Sequence, residues 1–298
     1  MALNVDSTEE VIFRETEDKL NRRYKLKKNA KKAVLVGVNL AVVLVVLFPL
    51  LYALFMSLKT PGEIYSSELD LFPESLQFSN YGDAFKAAPL GQYIWNSFIV
   101  AGLITLGQLI TGAFAAFSFH FTQYKGKEIL FSLVMATMMV PGEATIISNY
   151  LQVSKWGWLD SYKVLIIPYL TSATTIFLFR QFYKNFPMSL YESAKIDGAS
   201  NVRFLFQILL PLTKPAIGAV AVNAFINAWN MYMWPLLVTG SDSYRTVQIG
   251  VSMMNSIDSQ SIVLMLAGVV ICLIPSLLIF VLGQKSLVRG LMSGSVKG

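Results

Sequence analysis

The chain has few of the residues that do chemistry in water. Of its 298 residues, 14% are charged, against about 25% in an average soluble domain. It has one cysteine, Cys272, which lies in an apolar run, so no disulfide framework exists. It has one histidine, His120, in FSFHF with no cysteine or acid cluster nearby. That excludes a zinc-ligand spacing and leaves no set for a Ser/His/Asp triad. No phosphate-cradling glycine loop of the Walker type is present. An enzyme is therefore not expected. The apolar runs also lack the arrays of charge that a proton pump or voltage sensor uses. Active transport by such a chain needs energy from another subunit.

What is abundant is apolar sequence, 54% of the residues. Residues 33–57 exceed the roughly 20 needed to span a bilayer. They are too long for a signal-peptide core, and no small-residue cleavage pattern follows. Further runs predict spans at about residues 94–121, 129–151, 164–182, 216–238 and 262–282, with a polar tail at 1–32 and a short one at 292–298. This predicts an all-α integral membrane protein of six transmembrane helices, with no internal repeat. The net charge of +6 raises nucleic acid as a partner, but the charge distribution argues against it. Of the 24 Lys and Arg, 19 fall in residues 1–32, the 122–128 loop, the 180–215 region and residues 283–298, and 5 in the other three loops. Basic residues are retained on the cytoplasmic side, so both ends and the 183–215 loop are expected there, with loops 58–93, 152–163 and 239–261 outside. The cluster from Arg22 to Lys32 reads as a membrane-flanking anchor.

That 183–215 loop contains YESAKIDGASNVRFLFQILLPLTKP from Tyr191 to Pro215. It predicts two short helices, from Met188 to Ile196 and from about Asn201 to Leu210. Gly198 stands between them, where a reversal needs positive φ. Ser200 is placed as the N-cap of the second helix, and Pro211 and Pro215 as its end and the restart of the chain. Leu190, Ser193, Ala194 and Asp197 fall on one face, whose small residues permit close approach by a partner. Phe204, Phe206, Ile208 and Leu209 make the second helix apolar, and that surface needs covering, by lipid or by protein.

Two sets of polar residues lie within the spans. Pro141, Gly142 and Glu143 predict a bent third span. Its carboxylate either faces a substrate pathway or satisfies backbone freed by the kink. Asn223, Asn227 and Asn230 follow i, i+4, i+7 in the fifth span, and Trp234 extends the stripe. Amides with aromatic rings suit a sugar, which presents hydroxyls around apolar C–H faces. The same residues also suit interhelical hydrogen bonding and an interfacial aromatic belt.

Glu192-Ser193-Ala194, then Gly198, Ile208 and Leu210-Pro211, resemble the EAA-loop pattern of ATP-binding-cassette importer permeases, with Ser193 where the pattern has alanine. Asp197–Ser200 (DGAS), LPLTKP at Leu210–Pro215, Trp229-Asn230, Trp234-Pro235 and the terminal RGLMSGSVKG at Arg289–Gly298 resemble the carbohydrate-uptake branch. The match runs from Ala33 onward and is similar to the second six-span permease of a maltose-type importer. The resemblance implies the type I importer permease fold with a cytoplasmic coupling loop. It implies a partner permease, two copies of a cytoplasmic ATPase carrying ATP and Mg, and an extracytoplasmic sugar-binding protein. This chain itself would hold no cofactor or metal. Glu192, Ser193, Ala194, Asp197, Gly198, Ile208, Leu210 and Pro211 would couple to the ATPase, with the 294–298 tail reaching toward it. The implied cargo is a carbohydrate, with a sugar-like phosphate ester such as glycerol phosphate as the alternative. A stand-alone secondary carrier and a structural membrane protein are the remaining classes.

Overall fold

The computed structural model describes residues 5–64, 70–254 and 259–292. The expected 294–298 contact segment lies outside the described residues. Residues 1–55 and 56–298 form separate units. The first unit is nearly all of helix α1 (Val5–Ser57), so the polar tail from Val5 onward is helical and continuous with the first apolar run. Pro49 lies inside this helix, where it removes one backbone bond.

The second unit carries two short helices, α2 (Pro61–Ile64) and α3 (Ser79–Ala87), before the 32-residue α4 (Leu90–Phe121). Helix α5 (Lys127–Ala136) continues as a 3-10 turn over Thr137–Met139 and is followed by α6 (Gly142–Lys155). Helix α7 (Tyr162–Ile166), with its 3-10 extension Ile167–Tyr169, leads to α8 (Ala173–Lys184). Then come α9 (Met188–Ile196), α10 (Asn201–Phe204), a π-helical segment Leu205–Leu209 and α11 (Leu210–Leu212). The chain closes with α12 (Lys214–Trp229), α13 (Met233–Val238), α14 (Val247–Met253) and α15 (Ser259–Met292). Among the described residues there is no β-strand.

Among the described residues, three helices are long and apolar enough to cross a bilayer alone: Lys27–Ser57, Leu90–Phe121 and Ile262–Gln284. The third and fourth spans are broken. The α5 and α6 arms meet at 94°, so the bend expected at Pro141 is a right-angle turn. Pro141 caps α6 with φ −59° and ψ 130°, an extended conformation that stops the preceding helix. The arms of the fourth span bend by 40° around residues 170–172.

Backbone groups freed inside a membrane need partners within the protein, and α4 supplies them at this second break. Gln108 donates to the Tyr169 carbonyl at 3.0 Å and Thr111 to the Leu170 carbonyl at 2.9 Å. Gln108 also accepts from Thr175 at 3.0 Å. Helix α8 lies close enough to α4 that a Cβ on Gly112 would come within 2.6 Å of Thr175 Cγ2. This is the small-residue contact that membrane helices use.

The expected fifth span at 216–238 is corrected. Helix α12 ends at Trp229, Asn230 leaves helical geometry at φ −85° and ψ 4°, and a separate short helix α13 follows. At 16 residues, α12 is about 24 Å long, shorter than the roughly 30 Å hydrocarbon core. On its other side α12 meets the Asn201–Leu212 arm at 85°.

Two buried clusters organise this unit. One gathers Leu90, Tyr93, Val100, Ile104, Val164, Leu165, Trp229, Trp234 and Val247. The other gathers Ala113, Phe117, Phe121, Phe179, Tyr183, Phe204 and Leu209. At the end of the first cluster, loop 239–246 is stitched down by polar groups. Tyr93 donates to Asp242 at 2.6 Å, Asn96 donates to the carbonyls of Ser243 and Arg245, and Asp160 accepts from the amides of Gly240 and Ser241 at 3.0 Å.

Candidate functional site

The second cluster holds the hairpin α9–α11. Helix α9 runs over Met188–Ile196, as its pattern predicts. Gly198 adopts φ +78°, the left-handed turn that a side chain would strain. Ser200 caps α10, its hydroxyl accepting from the Arg203 amide at 3.2 Å. Tyr191 closes the hairpin by donating to Asn201 at 2.9 Å.

The faces differ from expectation in one respect. Ala194 turns inward and is 7% exposed, whereas Leu190, Ser193 and Asp197 face out. The small residue therefore allows close approach to the chain's own core. That core also covers part of the second helix. Phe204 and Leu209 are fully buried, and Phe204 meets Phe121 and Tyr191 edge-on at 5.5 and 5.0 Å. Phe206 stays half exposed against Phe114.

Pro211 does not end the helix as expected. The helical path continues to Leu212, and the wide π segment Leu205–Leu209 lies just before the proline. Proline has no amide to donate and crowds the preceding turn, so a widened turn accommodates it. Glu192 and Pro211 are exposed, and Ile208 and Leu210 are half-buried. The hairpin thus presents Glu192, Ser193 and Asp197 outward from an aromatic base.

A cavity of about 430 Å³ lies at the breaks of the third and fifth spans. Glu143, Asn230 and Trp234 all line it, joined by Gly142, Ile146, Asn149, Tyr169 and residues 231–233. Glu143, Ile146 and Asn149 are at i, i+3, i+6 on α6, so they share one face. The proline that ends α5 therefore turns a carboxylate and an amide onto one wall. The unwound segment 230–232 supplies the opposite wall. None of the described residues lining the cavity is Lys or Arg.

The continuous stripe expected along the fifth span is corrected. Trp234 belongs to α13, is 4% exposed and donates its indole N–H to the Val164 carbonyl at 2.8 Å. Asn223 and Asn227 are exposed on α12 but outside the cavity lining. Asn227 instead donates to the Asn223 carbonyl at 2.9 Å and to its side-chain oxygen at 3.1 Å. Asn149 and Tyr169 escaped the sequence reading. Asn149 was findable from its helical spacing to Glu143, whereas Tyr169 enters only through the tertiary fold. Among the described residues no group of His, Cys, Asp or Glu is placed to hold a metal.

An all-helical bundle with broken spans, a polar cavity at the breaks and an amphipathic hairpin at one end is the architecture of an importer permease. Residues 108–292 match the family described as the binding-protein-dependent transport system inner membrane component, and the chain belongs to that family. It is 34% identical over 261 residues to the sn-glycerol-3-phosphate transport system permease protein UgpE of Brucella suis biovar 1, covering 84% of this chain and 92% of that one. The UgpE protein of Yersinia enterocolitica is 33% identical over 258 residues, with the same coverage. In fold, the chain resembles a chain of a bacterial ABC transporter involved in the import of the acidic polysaccharide alginate. The TM-score is 0.75 and the identity 21%, over 85% of this chain and 94% of that one. The chain is thus a multi-pass membrane permease of an ABC importer and not an enzyme, working with a partner permease, an ATPase on a separate subunit and a substrate-binding protein.

Proposed function

We propose that this permease imports a neutral carbohydrate, and that the cavity at the span breaks is its contribution to the pathway. The observation that carries this reading is the lining: a carboxylate, two amides, two phenols and an indole, with no cation among them. Carboxylate and amide oxygens accept from sugar hydroxyls, amide N–H groups donate to them, and aromatic faces pack on C–H faces. A phosphate is better held by Arg or Lys, and Glu143 repels it. The relatives' name supports a second reading, import of sn-glycerol-3-phosphate, in which the partner permease supplies the cations.

In this reading both termini are cytoplasmic, by the charge asymmetry of the loops. The partner is a different permease, two ATPase copies carry ATP and Mg, and the binding protein is extracytoplasmic. The α9–α11 hairpin seats on the ATPase through Glu192, Ser193, Asp197, Gly198 and neighbouring Ile208, Leu210 and Pro211. Ala194 holds it to the permease. Asn223 and Asn227 continue the polar face of α12 beyond the cavity.

The test is uptake by the complete complex with its own binding protein in proteoliposomes, comparing a panel of labelled neutral sugars with labelled sn-glycerol-3-phosphate. The expected outcome is ATP-dependent uptake of a neutral sugar, reduced tenfold or more in Glu143→Arg. Uptake of the phosphate ester alone would overturn the neutral-cargo reading.

A further inference from the structure

Arg180 is a buried cation that serves neither the cavity nor the outward face of the hairpin. Its side chain is 8% exposed, on the last turns of α8. One guanidinium nitrogen donates to both carboxylate oxygens of Glu128, at 2.7 and 2.8 Å. Its Nε donates to the Phe119 carbonyl at 3.3 Å, and its Cζ lies over the Phe131 ring, 3.8 Å from the ring centre. Phe131 in turn meets Phe119 edge-on at 5.4 Å. One side chain therefore ties together the end of α4, the start of α5 and the end of α8.

The tie matters because, within this chain, α5 buries little else against its neighbours. Phe131 is the only buried residue of α5, and it packs under the Arg180 guanidinium. Beyond the right-angle turn, Val153 is the only buried residue of α6. Yet this arm carries Glu143 and Asn149 into the cavity wall. On the other side of Arg180, α8 ends at Lys184, and Phe186 and α9 follow, packed on Phe121 and Phe204. The ion pair thus sits where the hairpin's aromatic base meets the arm that walls the cavity.

We propose that Arg180 and Glu128 are positioning residues that make the α5–α6 arm move as one body with the hairpin. A displacement imposed on α9–α11 then reaches the cavity wall. This rests on the reading of the hairpin as the ATPase-docking element. The Glu128 side chain is 67% exposed, so its contact with the buried guanidinium acts as a link between elements and contributes little to overall stability. Without Glu128, Arg180 keeps the Phe119 carbonyl and the Phe131 ring, and what is lost is the ionic tie from α5 to α8. The start of the arm then loses its charge-assisted hydrogen bonds to α8.

The test places spin labels at Lys195→Cys in α9 and Ile147→Cys in α6, both exposed positions, in a Cys272→Ser background. Distances are measured in the assembled complex without nucleotide and with the ATPase trapped by vanadate. With the pair intact, the 195–147 distance is expected to stay constant through the cycle. In Glu128→Ala it is expected to shift by about 2 Å or more, the scale of helix displacements in switching proteins. Glu128→Gln, which keeps size and one acceptor, is expected to show a smaller shift and carries the test where Glu128→Ala does not assemble. Immobilisation of the label at 195 on adding the ATPase reports docking separately. Without it, the docking reading falls and this proposal with it. Immobilisation with a constant distance in an assembled Glu128 variant overturns the role of the pair alone. A shifting distance in the unmodified pair also overturns it. So does failure of both variants to assemble, which assigns the pair to folding.

Discussion

Gly198 shows how a single residue decides a local shape. At φ +78° nothing lies within 4 Å of the place a Cβ would occupy, so the obstacle to substitution is backbone strain and not crowding. Gly198→Val is expected to cost about 1–2 kcal/mol at the turn and to tilt α9 against α10. Co-purification with the ATPase is expected to fall several-fold while the amount of permease in the membrane stays the same. Unchanged co-purification would remove the turn from the docking surface. Asn227 and Asn230 behave differently, although the sequence places them on one stripe. Asn230 lines the cavity, whereas Asn227 is bonded back to Asn223. Asn230→Leu is therefore expected to lower uptake more strongly than Asn227→Leu, with both variants assembling. The reverse order would move the pathway along α12.

Among the elements, the α9–α11 hairpin was the most legible. Its start, turn and cap each rest on local chemistry: helix propensity, a positive-φ glycine and a serine cap. What local reasoning could not give was which face points inward. Leu190 and Ala194 look equally suited to burial on a helical wheel, and only the aromatic cluster of Phe117, Phe121 and Tyr183 selects Ala194. Ala194→Phe is expected to overpack that cluster and destabilise the hairpin by about 1–3 kcal/mol. Protease sensitivity between residues 188 and 212 reads this out. Cleavage no faster than in the unmodified protein would mean that the cluster yields at low cost. The breaks in the spans were legible as sites of weakness at Pro141 but not as angles. A proline forbids a straight helix, and what lies on either side of it sets the turn.

For the whole molecule, the long apolar runs and the sparse charge were enough to establish a multi-pass helical membrane protein. The loop clamp around residues 239–246 could not be foreseen, because Tyr93, Asp160 and Asp242 are far apart in sequence. Amide donation from Ser241 and Gly240 holds the Asp160 carboxyl below the usual carboxylate range, and donation from Tyr93 and then Arg245 does the same for Asp242. A folded-state value below the unfolded value of about 3.9 means that the ionised form favours the folded loop. That contribution is full above the unfolded value and is lost as pH falls through the lower folded value. Protection of loop 239–246 against hydrogen exchange, taken relative to the intrinsic exchange rate at each pH, is therefore expected to hold down to about pH 4 and to fall below it. Asp160 sits at φ +53°, a conformation asparagine also accepts. Asp160→Asn should then speed exchange near neutral pH while flattening its acid dependence. An acid profile unchanged in that variant would assign the clamp to other groups.

The sequence by itself determined the membrane class, the number of apolar runs, the hairpin and its turn. Those follow from composition and from chemistry within a few residues. Only the tertiary structure decided that Glu143, Asn149, Asn230 and Trp234 meet at one cavity, and that Asn223 and Asn227 lie outside it. The reason is physical. Where helices break at Pro141 and after Trp229, helical periodicity no longer says which residues are neighbours. Packing between separate segments then sets the arrangement.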